Sequence, residues 1–191
     1  MKRVLLTCLI STAICLPALA ALKDGDSAPD FTTQASLAGK EFKFSLKDSL
    51  KRGPVVVYFY PSAYTQGCNV QAHTFSVNQE KFAAAGASIV GVSLDSIQRL
   101  NQFSADPEYC AGKFPVASDA SGSIAKSYDL QVKNVPGIKD TKGNEVDHGF
   151  AERTTFVVTP DGKIAATIGG MRPDENVMKA LETVQHLKGK S

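Results

Sequence analysis

The sequence is poor in several features that mark other classes of protein. Only four of its 191 residues are cysteine, too few for a disulfide scaffold, and no C-x-x-C pair is present to bind zinc. The formal charge of +2 is too small to indicate a nucleic-acid-binding protein. There is no internal repeat and no Gly-rich phosphate-binding loop. The histidines, His73, His148 and His186, have no metal-ligand spacing, so neither a metal nor a cofactor is expected.

Residues 1–20 have the pattern of a secretory signal peptide. Two basic residues precede the uncharged run Val4–Leu16, which ends in a proline and the small-residue sequence Ala18-Leu19-Ala20. The run is shorter than the roughly 20 residues that cross a bilayer, although an uncleaved membrane anchor is the alternative. We therefore expect residues 21–191 to be an exported domain, periplasmic in a Gram-negative source and free of the membrane after cleavage.

Length and composition of the whole chain indicate one folded domain. A chain with 43% hydrophobic and 21% charged residues is neither disordered nor fibrous. Cleavage removes two of the 21 basic residues and none of the 19 acidic ones, so the mature surface should be close to neutral. It also removes Cys8 and Cys15, which leaves Cys68 and Cys110 as a pair that could form a structural or a redox disulfide.

Hydrophobic patterns predict alternating strands and helices. The β-branched and aromatic run Val55–Tyr60 predicts a strand buried on both faces, and apolar residues spaced along one helical face follow from Cys68. An α/β layer sandwich with a parallel central β-α-β unit follows from this order. The polar segment Gln131–Glu152 is predicted to be a long loop that borders a site. The other predicted elements are a strand over Ala87–Ser93, helices over Ile97–Phe103 and Ile124–Tyr128, a hairpin of Thr155–Val158 with Ile164–Ile168, and a last helix around Val177–Leu187.

Cys68 is the first candidate for chemistry. It follows a buried strand and a loop and lies where a helix begins, so free backbone N–H groups and the positive end of the helix dipole stabilise a thiolate there. Gln71, three residues further on, places no negative charge beside that thiolate. Position alone leaves two other interpretations open, a small core residue or half of a structural bridge.

The residues around Cys68 distinguish these interpretations. The segment Pro61–Cys68 has the pattern P-x-x-x-T-x-x-C, which resembles the active-site motif of the peroxiredoxins, the AhpC/TSA family. Gly25–Phe31 is similar to the start of the mature family sequence, Ser93–Ser96 to its S-x-D-S segment, and Arg153–Val158 to its arginine-bearing strand. The resemblance covers nearly the whole mature chain.

This resemblance implies a thioredoxin-like fold, with a mixed central β-sheet flanked by helices, and reduction of hydrogen peroxide and organic hydroperoxides. Cys68 would be the peroxidatic nucleophile that becomes a sulfenic acid. Thr65 would hold the peroxide through its hydroxyl, Pro61 would shield the thiolate, and Arg153 would polarise thiolate and peroxide. The implied reductant is a thioredoxin-like or glutaredoxin-like protein, and the enzyme would be a monomer or a dimer.

The resemblance also bears on how the sulfenic acid is resolved. In the bacterioferritin-comigratory-protein (PrxQ-like) branch the resolving cysteine often lies five residues after the first, where this sequence has His73. Another arrangement in that branch places it near Cys110, which favours an intramolecular Cys68–Cys110 disulfide. The alternative is a one-cysteine enzyme in which Cys110 takes no part.

Two other functions remain as alternatives. A thioredoxin-like disulfide oxidoreductase needs C-x-x-C, but Thr65 occupies the first position of that spacing. A non-enzymatic exported module with a structural Cys68–Cys110 bridge would leave the pattern of Pro61, Thr65 and Arg153 unexplained.

Overall fold

The uninterrupted apolar run after Pro54 forms an interior strand of a seven-stranded mixed sheet. A computed structural model describes residues 20–189, so the proposed signal sequence, save its last residue, lies outside the described part. The strands are β1 (Thr32–Leu37), β2 (Lys40–Ser45), β3 (Val55–Phe59), β4 (Ser88–Ser93), β5 (Val116–Ser118), β6 (Val132–Lys133), β7 (Phe150–Ala151), β8 (Thr154–Val158) and β9 (Ile164–Gly169). The helices are α1 (Leu46–Leu50), α2 (Gln66–Ala84), α3 (Ile97–Ala105), α4 (Ser123–Ser127) and α5 (Pro173–Lys188).

The order of the strands brings three strand ends together. The sheet runs β2-β1-β5-β4-β3-β8-β9, with β4 parallel to β3 and β8 antiparallel to β3. Phe59, the last residue of β3, pairs with Val92 near the end of β4 and with Thr154 at the start of β8. The chain that leaves β3, the chain that leaves β4 and the chain that enters β8 therefore meet at one edge of the sheet.

Strand β3 separates two hydrophobic layers. Successive side chains of a strand point to opposite faces. Val56 and Tyr58 accordingly pack with residues of α2, α3 and α5, whereas Val57 and Phe59 pack with residues of α1 and α4. Every residue of β3 is buried, as the unbroken apolar run predicted. This two-sided burial holds the end of β3 in a fixed position.

The predicted elements are confirmed, and the structure adds others. The N-terminal hairpin of β1 and β2 was not predicted because its exposed residues interrupt the apolar pattern, and β5 has only three residues. The segment Gln131–Glu152, predicted as a loop, contains the short ribbon of β6 and β7. No helix within residues 20–189 is long and apolar enough to cross a membrane.

Candidate active site

Cys68 lies in the first turn of α2, at the edge where the three strand ends meet. The helix begins at Gln66, two residues earlier than the apolar pattern indicated, and Thr65 is its N-cap. The Thr65 side chain makes no capping bond; its hydroxyl instead donates to the carbonyl of Ser62 at 2.8 Å. Cys68 is a free thiol with only 1% of its surface exposed. The thiol is therefore enclosed at the positive end of a helix.

Arg153 lies directly against this thiol. Its Nη2 donates to the Sγ of Cys68 at 3.4 Å, and its Nη1 donates to the Oε1 of Gln71. A Cβ atom at Gly67 would lie 3.0 Å from Nη2 of Arg153 and 3.4 Å from Cγ of Pro173. Glycine at position 67 thus leaves the space that the guanidinium occupies.

A buried chain of amides fixes the direction in which Gln71 points. The carbonyl of Ile168 can only accept, so the amide nitrogen of Asn176, 2.9 Å away, is its donor. Asn176 Oδ1 then accepts from Nε2 of Gln71 at 3.1 Å and from the Thr155 hydroxyl at 2.6 Å. Gln71 must consequently turn its Oε1 toward Arg153. Gln71 and Asn176 are both buried, so no water competes for these bonds.

The loop before α2 is packed against the polar segment Gln131–Glu152. Tyr64 has a positive φ of 63°, an uncommon conformation for a bulky residue. Its carbonyl accepts from the backbone N–H and the hydroxyl of Thr141, at 2.9 and 2.8 Å. The Nζ of Lys142 lies 3.6 Å from the centre of the Tyr64 ring. These contacts confirm that the polar segment borders the site.

Cys110 occupies a different loop, between α3 and β5. This loop lies on α2, because His73 Nδ1 donates to the carbonyl of Glu108 at 2.9 Å and Lys113 Nζ donates to the carbonyl of Ser76 at 3.2 Å. Cys110 is fully buried as a free thiol in the same apolar cluster as Cys68. Burial raises the pKa of the Cys110 thiol well above its usual value, and the carboxylate of Asp106 raises it further. Cys110 is thus kept as a neutral thiol.

A comparison with known proteins identifies the family of the chain. The AhpC/TSA family model matches residues 25–167, which include Cys68, Cys110, the Pro61–Cys68 loop and Arg153. The chain belongs to the AhpC/TSA family. It is a peroxiredoxin, an enzyme that reduces peroxides through a thiol, and its mixed sheet with flanking helices is the thioredoxin-like fold of that family.

Several relatives are peroxiredoxins of the bacterioferritin-comigratory-protein (PrxQ-like) type that the sequence motifs indicated. The solved peroxidoxin BcpB from Mycobacterium tuberculosis is similar with a TM-score of 0.73 and 30% sequence identity, over 87% of this chain and 98% of that one. Xanthomonas campestris peroxiredoxin Q gives a TM-score of 0.65 and 26% identity, over 81% and 90%. Peroxiredoxin Bcp of Xanthomonas campestris is 33% identical over 111 residues, 58% of this chain and 62% of that protein.

In this peroxiredoxin the candidate residues lie in two places. The fold brings Thr65, Cys68 and Arg153 to one edge of the sheet, with Pro61 at the start of the same loop. Cys110 lies in the loop between α3 and β5, which packs against α2. In residues 20–189 no group of three or more His, Cys, Asp or Glu side chains is placed to hold a metal ion.

Two buried polar residues of the site were missed by the sequence analysis as site residues. Asp95 follows β4, and its position beside the Pro61–Gly67 loop could have been inferred from the parallel pairing of β3 with β4. Asn176 is one polar residue on the otherwise apolar buried face of α5, and no signal in the sequence distinguishes it from a surface residue.

Proposed function

We propose that Cys68 is the peroxidatic nucleophile of this peroxiredoxin. The observation that carries the proposal is the contact between the buried Cys68 Sγ and the guanidinium of Arg153. The Cys68 thiolate attacks one peroxide oxygen, so that an S–O bond forms while the O–O bond breaks. The sulfur is oxidised to a sulfenic acid, and the departing oxygen takes a proton and leaves as water or an alcohol.

Thr65 and Pro61 are suited to hold the peroxide and exclude water. The hydrogen of the Thr65 hydroxyl is already donated to Ser62, so its oxygen remains available to accept the peroxide hydrogen. Pro61 has no N–H group of its own to compete for that hydrogen bond. Its ring lies at the partly exposed start of the loop, where it limits the access of water.

Arg153 stabilises charge at the reacting atoms. Arginine remains charged at any physiological pH and presents several donors in one plane, so it can contact the thiolate, Gln71 and the departing oxygen together. Donors that are already in place cost no reorganisation during the reaction. Gln71 and Asn176 supply that placement through the buried chain of amides.

Replacing Arg153 with lysine should slow the oxidation of Cys68 by about 10²–10³-fold, because a single ammonium nitrogen replaces the two guanidinium nitrogens that separately contact Cys68 and Gln71. The measurement is the second-order rate constant for hydrogen peroxide in stopped flow. Arg52→Lys, at an exposed position just after α1, is the matched control and should react as the wild type does. A rate constant for Arg153→Lys equal to that of the wild type would contradict the role of the planar guanidinium of Arg153.

Cys110 is proposed to resolve the sulfenic acid. Its thiol hydrogen leaves with the sulfenic hydroxyl as water, and the two sulfur atoms join in a disulfide. The loop that carries Cys110 packs against α2, the helix that carries Cys68. His73 contacts this loop from the position that holds the resolving cysteine in part of the PrxQ-like branch. A disulfide requires Cα atoms within about 4.4–6.8 Å of each other. We propose that the first turn of α2 and the Cys110 loop open locally to bring the two buried free thiols together. The disulfide is then returned to thiols by a thioredoxin-like or glutaredoxin-like reductant.

Addition of one equivalent of hydrogen peroxide should remove both thiols of the mature wild-type protein and lower its mass by two hydrogens. Cys68→Ser should keep its remaining thiol, because the nucleophile is gone. Cys110→Ser should stop at a sulfenic acid that a dimedone probe traps. Persistence of both wild-type thiols would refute the assignment of Cys68. If Cys110→Ser turns over as fast as the wild type with the same reductant, the enzyme uses one cysteine only.

We also propose that residues 1–20 export this enzyme and are then removed, on the basis of their sequence pattern. Expressed at full length in a Gram-negative bacterium, the protein should be found in the periplasmic fraction with Ala21 as its first residue. Intact mass and N-terminal sequencing make the measurement, and a variant without residues 2–20 is the control that should stay in the cytosol. A cytosolic product that keeps its full N-terminal segment would contradict the proposal.

A further inference from the structure

Asp95 is a buried carboxylate that holds the loop before Cys68 but does not touch the thiol. It follows β4, and the parallel pairing of β4 with β3 brings it beside the chain that leaves β3. The Asp95 carboxylate accepts from the Ser62 hydroxyl at 2.8 Å, the Ala63 backbone N–H at 2.7 Å and the Ser93 hydroxyl at 2.7 Å. No part of Asp95 is exposed. A carboxylate removed from water remains charged only where donors surround it, as they do here.

Arg99 on α3 holds the same stretch of loop from its other side. Its Nε lies 3.0 Å from Oδ1 of Asp95, and its Nη2 donates to the carbonyl of Ala63 at 2.8 Å and to Asp140 Oδ2 at 2.8 Å. Both backbone polar groups of Ala63 are therefore bound by charged side chains. The neighbouring carbonyl of Ser62 is the acceptor for the Thr65 hydroxyl, so the position of this stretch sets the direction of that hydroxyl.

The contacts of His148 show that both of its ring nitrogens are donors. Nδ1 lies 2.9 Å from the carbonyl of Gly149, which can only accept. Nε2 lies 2.9 Å from Oδ1 of Asp95, and the ionised carboxylate can also only accept. Burial disfavours the charged form of His148, but the hydrogen bond and charge of Asp95 outweigh it and raise the His148 pKa above its ordinary value. Burial likewise disfavours ionised Asp95, but donation from His148 and Ala63 holds the Asp95 pKa below its usual value.

We propose that Asp95 is a positioning residue for peroxide reduction and that protonated His148 completes the cluster by which Asp95 and Arg99 hold the Pro61–Gly67 loop. The proposal rests on the assignment of Cys68 above. When His148 loses one proton, it cannot donate to both Gly149 and Asp95. One of the two ring nitrogens then presents a lone pair to an acceptor, and Asp95 loses the positive charge beside it. The weaker hold on Asp95 loosens the loop that aims Thr65.

The hold of His148 on Asp95 should weaken as the pH rises. The hold of the charged His148 is complete below the ordinary histidine pKa of about 6.5 and is lost as the pH rises through the higher folded value. The charged groups around this contact are Asp95 after β4, Arg99 on α3 and, from the polar segment, Asp140, Lys142 and Asp147. Burial disfavours ionised Asp140, but Arg99 and backbone N–H groups hold the pKa of Asp140 below its usual value, so Asp140 and Asp95 stay charged over this range.

The test compares the wild type with His148→Gln, whose amide can donate to Asp95 at every pH. The second-order rate constant for hydrogen peroxide is measured from about pH 6 to about pH 9 for both proteins. Dividing the wild-type value by the variant value cancels any pH dependence that both proteins share. The ratio should fall by about tenfold or more as the pH rises, whereas the same ratio for His186→Gln, an exposed histidine on α5, should stay constant. A constant ratio for His148→Gln would overturn the proposal.

Two further measurements test the role of Asp95 and His148 where His148→Gln folds poorly or the protein consumes no peroxide. Ser62→Ala leaves the Asp95–His148 pair intact but removes one link to the loop, so it should lower the rate constant while preserving the alkaline decline. Nitrogen chemical shifts of His148 should show both ring nitrogens protonated at about pH 6.5, and a neutral ring there would overturn the proposal by itself. A wild type that leaves peroxide unchanged would instead count against the assignment of Cys68.

Discussion

The guanidinium of Arg153 reaches the thiol of Cys68 because β8 runs antiparallel to β3. The two residues are 85 positions apart in the sequence, yet the pairing of Thr154 with Phe59 places the start of β8 beside the loop that leaves β3. Gly67 leaves room for the contact, and the burial of β3 on both faces keeps the strand end in place. The chemistry of the site depends on the pairing of β8 with β3, because that pairing brings the positive charge of Arg153 to Cys68. Neither the dipole of α2 nor the Pro61–Gly67 loop supplies such a charge.

Two networks of buried polar groups surround that contact, and each acts on a different part of the site. The amide chain from Ile168 through Asn176 and Gln71 orients Arg153, and the cluster of Asp95, Arg99 and His148 orients the loop that carries Thr65. Buried polar networks contribute little net stability, but they allow only one arrangement of donors and acceptors. Their value here lies in that single arrangement, because a nucleophile and its donors must be in place before the peroxide arrives.

Sequence reasoning identified the parts of this molecule that local patterns determine. The strand predicted over Val55–Tyr60, the helix after it, the hairpin of β8 and β9 and the motif around Cys68 all follow from periodicity or spacing, and the structure has each of them. The contacts of Asn176 and His148 depend instead on which strands pair and on which helix covers them. From the sequence alone, these two residues cannot be distinguished from polar residues exposed to solvent. Asp95 lies between these cases, since it follows a predicted strand but needs the parallel pairing to reach its partners.

We propose that the fold, rather than exposure of a thiol, makes Cys68 reactive. The decisive measurement is the rate of oxidation of Cys68 by hydrogen peroxide in Cys110→Ser without its signal sequence, for the folded protein and for the protein unfolded in urea at the same pH. Unfolding exposes a thiol that is 1% accessible in the folded protein, so exposure alone would speed the reaction. The folded protein should react at least about a hundredfold faster, because only the fold holds Arg153 and the helix N–H groups against the sulfur. An unfolded chain that reacts as fast as the folded protein would contradict it.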